Sequence, residues 1–159
     1  MSELRLRQAA RAVVLDDDER ILLVRFEFPG RIVWATPGGG IEEAESDEAA
    51  MRRELAEEAG LHDFDLGPLV WNRTAIVPFE SGLWDGQIER YYLVRTSPFE
   101  PRPHLSWEQL RVEHMTGIRW WTLDELEATD ALFAPRRLPA LVRGLLEDGL
   151  PSEPLDVGL

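Results

Sequence analysis

The sequence has no cysteine, no lysine and no long hydrophobic run, and each absence excludes a class of protein or chemistry. Without cysteine there are no disulfides, and nothing in the composition points to export. All 17 basic residues are arginines, which excludes Schiff-base and lysine-nucleophile chemistry but keeps bidentate phosphate contacts available. No apolar run approaches the roughly 18 residues that cross a bilayer, so we expect no membrane partner.

Basic residues are scarce relative to acidic ones. With 30 acidic and 17 basic residues the formal net charge is −13, which repels polyanions. No basic stripe or aromatic-basic repeat indicates a nucleic-acid groove, so we expect no nucleic-acid polymer as a partner. The first 20 residues lack the apolar core and small-residue cleavage site of a signal peptide, and we therefore expect a cytoplasmic protein.

The length and the hydrophobic pattern predict one α/β domain. A chain of 159 residues has the size of a single domain, which we place at residues 1–150, followed by a flexible tail at residues 151–159. The pattern predicts the order β-β-β-α-β-β-β-α, which implies a mixed sheet with helices packed against it. Strands are predicted at residues 8–15, 21–28, from 32 onward, 68–79, 87–96 and 117–123, and late helices at 123–129 and 135–148.

A helix with clear end signals is predicted over residues 47–59. Ser46 can cap its first turn, Asp47 and Glu48 favour the positive end of the helix dipole, and Gly60 suits a left-handed stop. Pro37 and the three glycines that follow it, residues 38–40, predict a tight loop shortly before this helix.

Negative charge is concentrated in and before this helix. Residues 42–58 hold eight carboxylates and two arginines. At helical spacing Glu54, Glu57 and Glu58 gather on the side opposite the apolar stripe, where a like pair 6 Å apart repels by about 2.8 kcal/mol at a dielectric of 20. A hard divalent cation such as Mg²⁺ would convert this repulsion into attraction. The alternative is a solvated acidic face, which is the usual meaning of a charge run.

The spacing of these residues resembles a known motif. Gly39, Glu45 and the run Arg53 to Leu61 (RELAEEAGL) fit G-x5-E-x7-R-E-U-x-E-E-x-G-U, where U is aliphatic. This pattern resembles the Nudix box at every constrained position from Gly39 to Leu61, and the flanking strand order and chain length are also similar to that family. The resemblance implies an α/β/α sandwich with a mixed β-sheet between helices.

The resemblance also implies a reaction. Nudix hydrolases use Mg²⁺, with Mn²⁺ as a substitute, to direct water at a phosphoanhydride in a nucleoside diphosphate linked to another group. By similarity Glu57 and Glu58 are metal ligands, and Glu54 is either a third ligand or the base that activates water. Arg53 would hold Glu57 through an i,i+4 ion pair, and the loop at Gly39 would supply a carbonyl ligand. The implied catalytic set is therefore Arg53, Glu54, Glu57 and Glu58.

Candidates outside the box are individually weaker. Glu113 and Glu89 are candidates for an additional metal ligand, with plain surface glutamate as the alternative. Arg25 and Arg73 are candidates for phosphate contacts, with solvated strand-edge arginine as the alternative. Trp34 is a candidate for stacking on a nucleobase, with a core role as the alternative.

The substrate stays open at this point, because the box handles only metal and diphosphate. His62, His104 and His114 show no metal-ligand spacing, so no zinc site is predicted. We expect a small-molecule diphosphate substrate, and the family resemblance allows a homodimer. The alternative function is a catalytically inactive nucleotide-binding or regulatory module of the same fold.

Overall fold

One mixed β-sheet forms the centre of the structure, a computed structural model that describes residues 3–158. The strands are β1 (Leu6–Asp16), β2 (Ile21–Phe28), β3 (Arg31–Ala35), β4 (Gly38–Gly40), β5 (Leu69–Ala75), β6 (Gly86–Thr96), β7 (Met115–Trp121), β8 (Leu132–Ala134) and β9 (Leu155–Asp156). The helices are α1 (Asp47–Ala59), α2 (Trp107–Val112), α3 (Leu123–Ala128) and α4 (Leu138–Asp148). The predicted strands and helices are all present, with shifts at their ends.

The sheet is mixed, as predicted. Its main strand order is β8-β3-β2-β1-β6-β5-β9, with β4 paired to β1 and β7 paired to β2. The long central strands β1 and β6 run parallel in register from Leu6 opposite Gly86 to Asp16 opposite Thr96. The β1–β2 and β5–β6 pairs are antiparallel.

Helices cover both faces of the sheet. On one face α1 buries Ala50, Met51, Leu55 and Ala59 against Ala10, Ala12 and Val14 of β1. On the other face α3 and α4 bury Leu126, Leu138, Val142 and Leu145 against Val13, Leu15 and Leu23. The predicted α/β/α sandwich is therefore confirmed.

Helix α1 has the predicted ends. The Ser46 hydroxyl accepts a hydrogen bond from Ala49 N at 3.1 Å, and Gly60 closes the helix in the left-handed conformation at φ 70°. A later segment caps its last carbonyls, because Arg102 N donates to Ala59 O at 2.9 Å and Leu105 N donates to Glu57 O at 3.2 Å. The helix is thus held at both ends.

The glycine segment differs from the predicted loop. Residues 38–40 form the short strand β4, which pairs antiparallel with residues 9–11 of β1. Gly38 has φ 135°, and a Cβ there would lie 2.7 Å from the Cα of Arg11. Glycine is therefore required at this position, because only a backbone without a side chain can approach β1 so closely.

The end of the described chain also differs from the expectation. Residues 151–159 were expected to form a flexible tail, but Leu155–Asp156 pairs parallel with β5 and Val157 is 1% exposed. Val157 N donates to Asn72 O at 2.9 Å. An apolar side chain and one backbone hydrogen bond anchor this end to the sheet. Residues 1, 2 and 159 of the predicted domain and tail lie outside the described residues.

Two further short elements escaped prediction. Helix α2 has six residues, too few to show a helical period, although its capping box between Ser106 and Gln109 is complete. Strand β8 has three residues and pairs parallel with β3. Both lie beside longer elements that the sequence pattern does reveal.

Among residues 3–158, no helix has the length and apolar character needed to span a membrane.

Candidate active site

Of the three glutamates predicted to hold a cation, two are buried, which argues against the alternative of a solvated acidic face. Glu54 is 7% and Glu58 is 4% exposed, whereas Glu57 is half-buried. Strand β4 covers the two buried carboxyl groups, and a Cβ at Gly39 would lie 2.7 Å from Glu54 Oε1. The prediction that Glu54 and Glu58 lie opposite the apolar stripe is wrong, because both are buried on the same side of α1 as Ala50, Met51 and Leu55. They lie at the end of that side which strand β4 covers.

Glu54 and Glu58 share one polar site. The Gly38 amide donates a hydrogen bond to Glu58 Oε1 at 3.0 Å, and the Glu54 carboxyl group is near enough to affect the pKa of Glu58. Burial and the nearby Glu54 charge raise the pKa of Glu58 well above its ordinary value, although Arg11 and the Gly38 amide oppose the change. Without a cation, this pair retains a proton more tightly than an isolated glutamate does.

Arg53 connects the helix to the glycine strand and to the segment before the helix. Its Nε and Nη2 each donate to a different oxygen of Glu45 at 2.9 Å, its Nη1 donates to Glu54 Oε1 at 2.9 Å, and its Nη2 donates to Gly40 O at 3.0 Å. The predicted pair with Glu57 is present but longer, at 3.7 Å. Arg53 therefore positions Glu54 first and Glu57 second.

A third segment adds negative charge near Glu57. Burial and then the Glu54 carboxylate raise the pKa of Glu57, with smaller contributions from Glu113 and Glu42, while Arg53 opposes the rise. Glu113 ends α2, so the candidate ligand from outside the box lies close enough to Glu57 to influence its charge. Its role as a ligand stays a prediction.

Glu89, the other candidate ligand, is 2% exposed and paired with two arginines. One of its oxygens accepts from Arg11 Nε and the other accepts from Arg73 Nη1. Burial alone would raise the pKa of Glu89, but Arg11 and Arg73 together lower it. The structure thus gives Glu89 guanidinium partners in place of the expected cation, and gives Arg73 a carboxylate partner in place of the expected phosphate.

The other two substrate candidates are neighbours on the sheet. Arg25 and Trp34 face each other across the β2–β3 pair. Arg25 Nη1 donates to Thr116 Oγ1 at 2.6 Å and to Glu27 at 3.2 Å, and Trp34 packs edge-on against Trp121 with ring centroids 5.1 Å apart. Arg25 stays half-exposed, whereas one face of Trp34 already belongs to the core.

Arg7 was not predicted and lies next to the carboxylate cluster. Its guanidinium packs against Gly40, where a Cβ would collide with it, and its Cζ lies 5.6 Å from the centre of the Phe79 ring. Burial and the charge of Arg11 lower the pKa of Arg7, and Glu54 and Glu113 oppose this. Within the described residues it makes no ion pair, so its N–H donors remain available. No sequence pattern distinguishes it from other strand arginines.

The residues present suit a hard divalent cation. Among residues 3–158, no set of three or more acidic or histidine side chains is already arranged around one point. The Glu54 carboxylate is instead paired with Arg53. The donors are nevertheless carboxylate oxygens, and the buried Glu58, beside Glu54, has a raised pKa. A divalent cation takes such oxygen donors in place of a proton. Glu54, Glu57 and Glu58 would hold it.

Comparison with known proteins shows the family of this chain. A model of the NUDIX domain matches residues 5–141, so the chain belongs to the Nudix family. It is 32% identical over 100 residues to an RNA pyrophosphohydrolase of Vibrio atlanticus, covering 57% of each chain. The chain spans a little more than half the length of the curated relatives it matches first.

Solved structures share the fold. A MutT NUDIX hydrolase from Burkholderia pseudomallei superposes with a TM-score of 0.58 at 25% identity, covering 85% of this chain and 95% of that one. The NUDIX domain of Shewanella oneidensis NrtR, solved with ADP ribose, superposes with a TM-score of 0.63 at 20% identity, covering 91% and 90%. At 20% identity, the similarity to the NrtR domain shows a shared fold and nothing more.

Proposed function

We propose that this chain is a divalent-metal-dependent pyrophosphohydrolase, with residues 1–150 as a single Nudix domain. The observation that carries the proposal is the buried Glu54–Glu58 pair beneath the glycine strand, with Glu57 and Arg53 beside it. A buried carboxylate pair is costly unless a proton or a cation compensates its charge. Together with membership in the Nudix family, this pair favours a catalytic Mg²⁺ site, which Mn²⁺ also fits.

The reaction is attack of water on phosphorus. The water oxygen forms a bond to one phosphorus, the bridging P–O bond breaks, and the other phosphate leaves with the bridging oxygen. When bound, the cation would offset diphosphate charge and lower the pKa of a coordinated water. The water proton passes to a carboxylate of the cluster, and Glu54 serves as a ligand or as this base.

The protein holds these groups in place through its own contacts. The Gly38 amide orients Glu58, and Arg53 orients Glu54 while tying it to Glu45. Arg7 has available donors beside the carboxylates, so we assign it a contact to a substrate phosphate. Arg25, half-exposed on β2, remains a candidate for a second contact, with Trp34 behind it.

The substrate class is a small compound with a phosphoanhydride, such as a nucleoside diphosphate derivative. The net charge of −13 favours a small anion, which one guanidinium can bind, over a long polyanion. The names of the curated relatives favour a second candidate, a phosphoanhydride at one end of an RNA. In that case the site would take only the terminal nucleotides.

A substrate panel tests the proposal. The purified protein is incubated with Mg²⁺ and with nucleoside triphosphates, ADP-ribose, a dinucleoside polyphosphate, a nucleotide sugar and a 5′-triphosphorylated oligonucleotide. We expect hydrolysis of at least one compound, lost in Glu57→Gln and Glu58→Gln and kept in Glu127→Gln, which changes an exposed ion pair on the α3–α4 face. If binding occurs without hydrolysis, the chain is the inactive binding module. If the glutamine variants equal the parent, the assignment is wrong.

A further inference from the structure

A buried arginine outside the Nudix box connects the glycine strand to the neighbouring sheet. Arg11 on β1 has a side chain that is 14% exposed, and its Nε donates to Glu89 on β6. Its Nη1 donates to Thr36 O at 3.1 Å and reaches Gly38 O at 3.5 Å. One guanidinium therefore holds both the buried Glu89 carboxylate and the backbone that leads into β4.

That backbone also contains the amide that donates a hydrogen bond to the carboxylate cluster. Gly38 accepts from Arg11 through its carbonyl and donates through its amide to Glu58 Oε1 at 3.0 Å. The main chain supports the same segment, since Ala12 N donates to Pro37 O at 2.9 Å. A shift of residues 36–38 would therefore move the amide that orients a carboxylate of the proposed metal site.

Arg73 provides a matched comparison within the same network. Its side chain is 15% exposed, it is paired with the same Glu89 carboxylate, and it comes from the other neighbouring strand, β5. Within residues 3–158, Arg73 makes no hydrogen bond to the backbone of residues 36–40. Loss of either arginine disturbs Glu89, but only loss of Arg11 also releases the glycine segment.

We propose that Arg11, held by Glu89, is a positioning residue that fixes residues 36–38 so that the Gly38 amide orients Glu58. The expected loss of activity rests on the proposed function, but the expected ordering of residues 36–38 by Arg11 does not. Groups that orient metal ligands without touching the metal are worth about 10–100-fold in metal affinity or activity. Lysine cannot replace Arg11, because a single ammonium lacks the planar fork that reaches Glu89 and Thr36 O together.

The first test compares Arg11→Lys with Arg73→Lys on the substrate found by the panel. We expect kcat to fall about 10–100-fold in Arg11→Lys, with KM changing less than about threefold, and to fall less than about threefold in Arg73→Lys. A merely structural role for the network predicts equal effects, because both arginines are equally buried and share one partner. Equal losses of kcat in the two folded variants would overturn the proposal.

A second readout does not depend on activity. Amide hydrogen exchange is measured on the metal-free proteins, and we expect the Gly38 amide to exchange at least about tenfold faster in Arg11→Lys than in the parent, with no such change in Arg73→Lys. If the parent hydrolyses no compound, the proposed function fails and this measurement alone decides about Arg11. An unchanged Gly38 amide in Arg11→Lys would reject the proposal.

A further variant covers the case in which Arg11→Lys does not fold. Glu89→Asp keeps the charge but shortens the side chain by one methylene, which draws the Arg11 guanidinium away from Thr36 O. We expect the same faster exchange at Gly38, to a smaller extent. If Glu89→Asp leaves Gly38 exchange unchanged while detaching Arg11, the assignment is again rejected.

Discussion

The amide nitrogen of Gly38 lies 3.0 Å from Oε1 of Glu58 and donates a hydrogen bond to it. This contact joins the glycine strand to the helix that bears the acidic cluster, twenty residues later in the chain. Because Glu58 is buried, water does not replace the Gly38 amide as its hydrogen-bond donor, and the carboxylate keeps one orientation. Strand β4 and helix α1 therefore act as one unit of the candidate active site.

Gly39→Ala should impair activity more than stability. Its Cβ would lie 2.7 Å from Glu54 Oε1, so the carboxyl group must move. The flexible end of the Glu54 side chain can move at little cost in folding free energy. In its new position, however, the carboxyl group can no longer bind the cation in the same way. We expect a loss of about 10–100-fold in kcat/KM with a change in the free energy of unfolding below about 1 kcal/mol, measured by kinetics and urea denaturation.

Gly144→Ala is the control for that variant. Gly144 lies within α4, and a Cβ there meets nothing within 4 Å. Alanine favours the helix over glycine, so we expect a gain of about 0.5–1 kcal/mol in the free energy of unfolding and unchanged activity. Equal activity losses in the two alanine variants would refute the specific role of Gly39.

Arg53→Lys should weaken the site although it keeps the charge. The guanidinium donates to both oxygens of Glu45, to Glu54 and to Gly40 O, and its bonds together with the Glu42 amide lower the pKa of Glu45 to about 2. A lysine ammonium cannot satisfy this planar set. We expect kcat/KM to fall about 10–100-fold. Activity within a factor of two of the parent would show that charge alone suffices.

Both tyrosines of the chain should resist ionisation. Burial and the nearby Glu89 charge raise the pKa of Tyr91, and burial with the hydrogen bond to Asp47 raises the pKa of Tyr92 to about 12. Because the folded values exceed the ordinary value of about 10, this contribution to stability is complete below pH 10 and is lost as pH rises through about 12. Absorbance at 295 nm should therefore stay flat through pH 10. A phenolate signal with a midpoint near pH 10 in the folded protein would contradict the prediction.

Val157→Ala should destabilise the protein if the end of the chain is anchored as described. Val157 is 1% exposed, and removing two methyl groups costs about 1–2 kcal/mol. The matched control is Val112→Ala at a 79% exposed position, where we expect a change within about 0.5 kcal/mol. Urea denaturation of the two variants distinguishes an anchored end from a loose one, for which the two changes would be equal.

Local signals explain why α1 was predicted with correct ends. The Ser46 cap, the acidic first turn and the left-handed Gly60 act within a few residues of the helix termini, so the sequence alone contains them. Strand β2 was predicted at its observed bounds for a similar reason, since its apolar run lies between two polar turns. Family resemblance then supplied the expected roles of Glu54, Glu57 and Glu58.

Long-range contacts explain what the sequence did not reveal. Arg11 and Glu89 are 78 residues apart, and they meet only because β1 and β6 pair in parallel. Gly39 packs against the Glu54 carboxyl group, a contact between two separate elements that no helical period encodes. His62 and His104, whose Nε2 atoms lie 2.8 Å apart, likewise have no sequence spacing that predicts their contact.

Binding of Mn²⁺ to the metal-free protein, followed by electron paramagnetic resonance, tests the central claim most directly. The account predicts binding that weakens at least about tenfold in both Glu57→Gln and Glu58→Gln and is unchanged in Glu127→Gln. Equal Mn²⁺ affinity in the parent and in both glutamine variants would contradict it, because the box carboxylates would then not hold the cation.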